Sequence, residues 1–137
     1  NDLLFYTGDM FPNRYKNGAF IAFHGSTNRA PYPQAGYVVG FIPFNNGMPS
    51  GDLEIFADGF AGIDLIKEMK DANYRPMGLA QGPDGSLYIS DSKKGKIWRV
   101  LYNDDKETFT NENLKNMRMR ESLPHIKMPI EFEDIVK

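Results

Sequence analysis

The sequence contains no cysteine, which excludes disulfide bridges and thiolate metal sites and leaves the compartment open. Histidine is scarce, with two residues, and tryptophan occurs once. No apolar run approaches the roughly 18 residues of a membrane-spanning helix, and no signal-peptide pattern is visible. Basic charge is not in excess: the formal net charge is −2. A nucleic-acid partner, which requires a basic face, is therefore not expected. A Gly-rich phosphate loop, a Ser-His-Asp spacing and a His-x-x-x-His pair are also missing. The sequence opens on Asn1 rather than Met, and an earlier start is expected.

What is abundant is aromatic residues and chain punctuation. Ten Phe, seven Tyr, 13 Gly and nine Pro stand among 137 residues. That mixture favours short strands and tight turns over long helices. Strands are expected at 3–6, 18–23, 37–44 and 53–57, and again at 76–80, 86–90 and 96–102. The segment Gly18–Phe23 is apolar on both faces, as in a strand packed between sheets. Asn45-Asn46-Gly47 reads as a hairpin turn, since Asn and Gly tolerate positive φ. Ile63, Leu65, Ile66 and Met69 shift toward helical spacing, which predicts a short helix over about 62–71.

An internal repeat links the two strand groups. Gly18 to His24 aligns with Gly85 to Asp91 at a constant offset of 67. Each copy is a glycine, a small residue, an apolar strand and a terminal polar residue. Two such units resemble neighbouring blades of a β-propeller, the second with only three clear strands. Residues 1–103 are assigned to these blades and residues 104–137 to a C-terminal tail or interdomain linker. Within the latter, a weak helix is predicted over 113–120, and Pro124 and Pro129 interrupt the remainder.

Three features could carry chemistry. His24-Gly25-Ser26-Thr27-Asn28-Arg29 directly follows an apolar strand. It packs imidazole, hydroxyl, amide and guanidinium groups where they could bind an oxygen-rich anion, or merely cap strand ends. Arg75 precedes the first strand of the second unit, where an Arg would suit a carboxylate or lie at the surface. Asp91 is the repeat partner of His24. It could offer one oxygen to Ca²⁺, but capping of the Ser92-Lys93-Lys94 turn is the simpler reading. Trp98 reads as core packing, Lys93, Lys94 and Lys96 as a solvated turn, and His125 has no partner nearby in sequence. No metal ligands and no catalytic residue are assigned.

Phe5-Tyr6-Thr7-Gly8, Phe11-Pro12, Tyr15, Gly18-Ala19-Phe20 and His24-Gly25-Ser26 with Asn28-Arg29 form one string. It resembles the late-blade signature of the glucose/sorbosone dehydrogenase family. Arg75-Pro76-Met77-Gly78, Gly82-Pro83-Asp84-Gly85 and Ile97-Trp98-Arg99 resemble that family's final blade. The resemblance covers about residues 3–102, and Thr27 stands where the family often has Trp. It implies an all-β, six-bladed β-propeller, of which this chain holds roughly the last two blades. It implies oxidation of a sugar-like alcohol or aldehyde by hydride transfer to pyrroloquinoline quinone, with calcium as a second cofactor candidate. His24, Gly25, Asn28, Arg29 and Arg75 would then contact the quinone, and the base would come from earlier blades. Expected partners are a sugar-like substrate, the remaining blades in this or another chain, and an electron-accepting cytochrome. The expected location is periplasmic or secreted. The alternatives are a non-catalytic propeller module that binds ligands or proteins and a lactonase-like propeller hydrolase. On this reading residues 1–137 alone would be inactive and poorly behaved.

Overall fold

The computed structural model describes residues 1–126; the tail from Lys127 onward lies outside the described residues. Two antiparallel sheets dominate. The first has the order β1-β2-β3-β6, from β1 (Asp2–Phe5), β2 (Ala19–Phe23), β3 (Val38–Ile42) and β6 (Glu54–Ala57). A small hairpin, β4 (Phe44–Asn45) and β5 (Met48–Pro49), projects between β3 and β6. Its turn is Asn46-Gly47, both at positive φ, as the sequence predicts. The second sheet is β7 (Pro76–Gln81), β8 (Leu87–Asp91) and β9 (Ile97–Val100). The offset repeat therefore corresponds to the second strand of each sheet.

The register explains which residues face the core. Leu4 pairs with Phe20, and Phe20 with Phe41, so these three lie on one face of the first sheet. That face meets Leu79, Leu87, Ile89, Trp98 and Val100 of the second sheet. Between them sit Tyr6, Phe11 and Tyr15, all buried. Tyr6 stacks on Phe11 with ring centroids 4.9 Å apart, and Tyr15 stacks on Phe20 at 6.0 Å. Burying each such ring stabilises the fold by about 1.5–3 kcal/mol. Trp98 packs edge-on against Phe60 and Tyr74, a core role as read from the sequence.

Leu3, Ile21 and Gly40 are likewise in register and point to the opposite face. That face is apolar and open. Leu3 and Phe5 are each 52% exposed and Leu53 is 44% exposed.

The helix predicted over 62–71 does not form. The segment is irregular, with a single 3₁₀ turn at Met69–Asp71. Its apolar residues do not share a buried stripe: Ile63, Leu65 and Met69 are exposed, whereas Ile66 is fully buried beside Tyr37, Ala61 and Ala72. One anchored side chain holds a loop in place but gives no reason to continue a helix.

Residues 104–126 lie against the sheets. Two 3₁₀ turns, Lys106–Thr108 and Asn111–Leu114, lead into α1 (Lys115–Arg120), which packs beside β6. Phe109 meets Tyr15 and Tyr102, and Leu114 is buried.

Candidate functional site

The sharp corner after β2 builds the site. Gly25 and Gly36 adopt φ of +97° and +94°, a region that strains any residue with a Cβ. A Cβ on Gly25 would also strike the Tyr37 ring, and one on Gly36 would lie 2.9 Å from Gly25 Cα. The two ends of the loop thus touch through bare backbone. Ser26 closes it: its N–H donates to Ala35 O at 2.8 Å, and its Oγ accepts from Ala35 N–H at 2.9 Å and donates to Gln34 Oε1 at 2.7 Å. The Tyr37 hydroxyl donates to Ser26 O at 2.8 Å.

Arg75 joins this loop from the other sheet. Its Nε donates to His24 O at 3.0 Å and its Nη2 to Gly25 O at 2.8 Å. Nη1 contacts Met69 Sδ at 2.9 Å, and the guanidinium lies 5.8 Å from the centroid of the Tyr37 ring. Three of its five N–H groups are engaged, which leaves two for a ligand. Arg14, Arg99 and Arg120 each pair with a carboxylate. Among the described residues no ion pair neutralises Arg75, so a fixed positive charge stands at this corner.

His24 Nε2 lies 2.6 Å from Ser92 Oγ, so the ends of the two repeat-related strands meet. Burial, and then the nearby Arg75 charge, hold the His24 imidazolium pKa below its ordinary value. His24 is therefore neutral at pH 7. Asp91 accepts the Arg75 backbone N–H and the Lys94 N–H, each at 2.6 Å. It is the cap of the β8–β9 turn that the sequence suggests. Asn28 is exposed, and Arg29 is half-buried with Nη1 donating to Pro33 O at 2.8 Å.

Several outcomes could not be read from the sequence. Ser26, included there in the polar cluster, is consumed inside the loop. His24 and Gly25 line a cavity of about 430 Å³ together with Phe23, Gly36, Val38 and His125, whereas Arg75 is not among its lining residues. Lys93, Lys94 and Lys96 are exposed, as the sequence suggests, while Lys93 donates to Lys70 O at 2.7 Å and Lys94 and Lys96 lie over the Tyr74 ring. His125, without a partner nearby in sequence, bonds Asp58 from 67 residues away. No local spacing signals that Tyr37 and Ser92 belong to the site.

The donor set at the corner suits an anionic, oxygen-rich ligand. A clamped guanidinium with spare N–H groups suits a carboxylate, and a neutral imidazole and a hydroxyl suit further oxygens. Among the described residues no group of three or more His, Cys, Asp or Glu could hold a metal ion.

Two packed antiparallel sheets with an uncompensated guanidinium at their junction define an all-β domain suited to an anionic ligand. The chain belongs to the TrAA12-like family, whose model matches residues 2–103, a family related to pyrroloquinoline quinone-dependent sugar dehydrogenases. An uncharacterized protein of Borreliella burgdorferi is 33% identical over 99 residues, which cover 72% of this chain and 24% of that protein. The chain thus spans about a quarter of the length of this curated relative. No solved structure matches.

Proposed function

We propose that this chain forms two blades of a β-propeller in a pyrroloquinoline quinone-dependent dehydrogenase that oxidises a sugar-like alcohol or aldehyde. The observation that carries the reading is Arg75: a guanidinium held by two carbonyl oxygens, free of any carboxylate partner among the described residues. Family membership supports the choice of cofactor class.

Bound quinone would supply the carbonyl that accepts hydride. The residues of this chain bind and orient. Arg75 presents its remaining N–H groups to a carboxylate of the ligand. Gly25 lets backbone approach closely, since any Cβ there would strike Tyr37. Neutral His24, beside Ser92, offers a hydrogen bond without adding charge. Arg29 and Asn28, on the outer part of the same loop, extend the polar surface. Base catalysis is assigned to other blades.

The test is titration of the full-length protein with pyrroloquinoline quinone and Ca²⁺, followed by dye reduction with a panel of aldoses. Saturable binding with aldose-dependent reduction is expected. Binding without turnover would favour a ligand-binding module, and no binding would overturn the reading.

A further inference from the structure

Among the described residues, the C-terminal segment reaches the cavity beside the candidate site with His125 and Ile126. His125 is 1% exposed. Its Nε2 lies 3.0 Å from Asp58 Oδ1 and its Nδ1 lies 3.1 Å from Asp64 O. A carboxylate and a carbonyl are both acceptors, so both ring nitrogens carry hydrogen and the ring is an imidazolium. Asp58, its side chain 3% exposed, accepts Arg120 Nε at 2.6 Å on its other oxygen, and Arg120 Nη2 reaches Asp64 at 3.0 Å. The charged groups around the ring are therefore Asp58 after β6, Asp64 in the next loop and Arg120 on α1. His24 and the amino group of Asn1 line the adjoining cavity.

From this clamp a chain of contacts leads to Arg75. The His125 carbonyl oxygen accepts the Gly36 N–H at 2.7 Å. Gly36 rests on Gly25 so closely that neither position has room for a Cβ. The Gly25 carbonyl oxygen accepts Arg75 Nη2 at 2.8 Å. Every link is a backbone contact or a hydrogen bond to a backbone carbonyl, so displacing His125 displaces the acceptor that orients the guanidinium.

We propose that His125 is a positioning residue for the anion corner, its imidazolium clamp fixing Gly36 and Gly25 and through them the direction of Arg75. This rests on the reading of Arg75 as a quinone ligand. Burial lowers the His125 pKa, but the hydrogen bond and charge of Asp58 outweigh it and raise the net value. The clamp therefore loosens as pH rises through that elevated value. Quinone affinity should fall over the same range.

Two measurements on the full-length protein test this. Hydrogen–deuterium exchange without quinone reports residues 24–37 directly, and calorimetric titration with pyrroloquinoline quinone reports the ligand. His125→Ala should speed exchange across 24–37 and weaken binding about 10-fold, the scale of one lost buried hydrogen bond. His125→Gln keeps a donor toward Asp58 but cannot titrate. It should fold, bind with intermediate affinity and lose the fall in affinity at alkaline pH. Unchanged exchange and affinity in both variants would overturn the coupling, as would a wild-type affinity that does not change with pH. Arg75→Ala is the control: if it binds quinone as wild type does, the functional reading fails and the coupling has no ligand to act on. If Arg75→Ala weakens binding while the His125 variants do not, only the coupling fails.

Discussion

The hydroxyl of Tyr6 donates to the carbonyl oxygen of Gly85 at 2.6 Å, joining residues 79 apart across the two sheets. The Tyr6 hydroxyl oxygen in turn accepts the Phe11 N–H at 3.2 Å, and the side chain is fully buried. Tyr6→Phe keeps the stacked ring but leaves a buried carbonyl and a buried N–H unpaired. The expected loss is about 1–3 kcal/mol of unfolding free energy. Denaturant unfolding of the full-length protein measures it, with an unchanged slope. A loss below about 0.5 kcal/mol, the range of ordinary surface changes, would show that water replaces the hydroxyl.

Gly25 and Gly47 provide a matched pair. Both have positive φ, but a Cβ on Gly25 would strike Tyr37, whereas nothing lies within 4 Å of one on Gly47. Gly47→Ala should cost about 1 kcal/mol, the backbone term alone. Gly25→Ala should cost at least about 2 kcal/mol, with overpacking added, and weaken quinone binding as well. Thermal unfolding and quinone titration of the two variants check this, and equal losses would mean that the Tyr37 contact is not tight.

Much of the fold was legible because register leaves a period-two trace. Phe20 and Ala22 announce the face that the second sheet covers, whereas the Ile21 face, expected to be packed as well, is open among the described residues; Gly18–His24 repeats at Gly85–Asp91 because both are second strands. The polar loop after β2 was legible because five ligand-type side chains crowd behind an apolar strand. The clamp was not, because Asp58 lies 62 residues from Arg120 and 67 from His125. The false helix over 62–71 has the same origin: spacing reports a pattern, but only tertiary packing shows that Ile66 alone finds a buried place.

Stability should fall at both ends of the pH scale around Asp58 and His125. Burial alone would raise the Asp58 pKa, but hydrogen bonds from His125, Arg120 and the Gly59 N–H hold it at about 2. A depressed carboxyl contributes stability above its ordinary value of 3.8, and that stability is lost as pH falls through about 2. His125 is raised, so its contribution is full below its ordinary 6.5 and is lost as pH rises through the elevated value. A plateau of melting temperature between about pH 4 and 6.5 follows. Asp58→Asn should lower the plateau and flatten its alkaline side; a variant that keeps the wild-type alkaline slope would place that titration elsewhere.

The open face of the first sheet makes the last prediction. Leu3 and Phe5 are half-exposed, in register with or beside Ile21 and Ala19, and Phe5 meets Phe44 edge-on. The opposite face of the same sheet is covered by β7–β9, which shows what such a surface accepts: another twisted antiparallel sheet. In the proposed propeller a further blade covers it. Leu3→Lys should then destabilise the full-length protein by about 2 kcal/mol or more, because it places a charge where an apolar side chain was buried. Residues 1–137 expressed alone should keep that face uncovered, bind a hydrophobic dye and self-associate in analytical ultracentrifugation. A Leu3→Lys protein as stable as wild type, together with a monomeric and dye-silent 1–137, would show that the face is solvent-exposed and that no neighbouring blade packs on it.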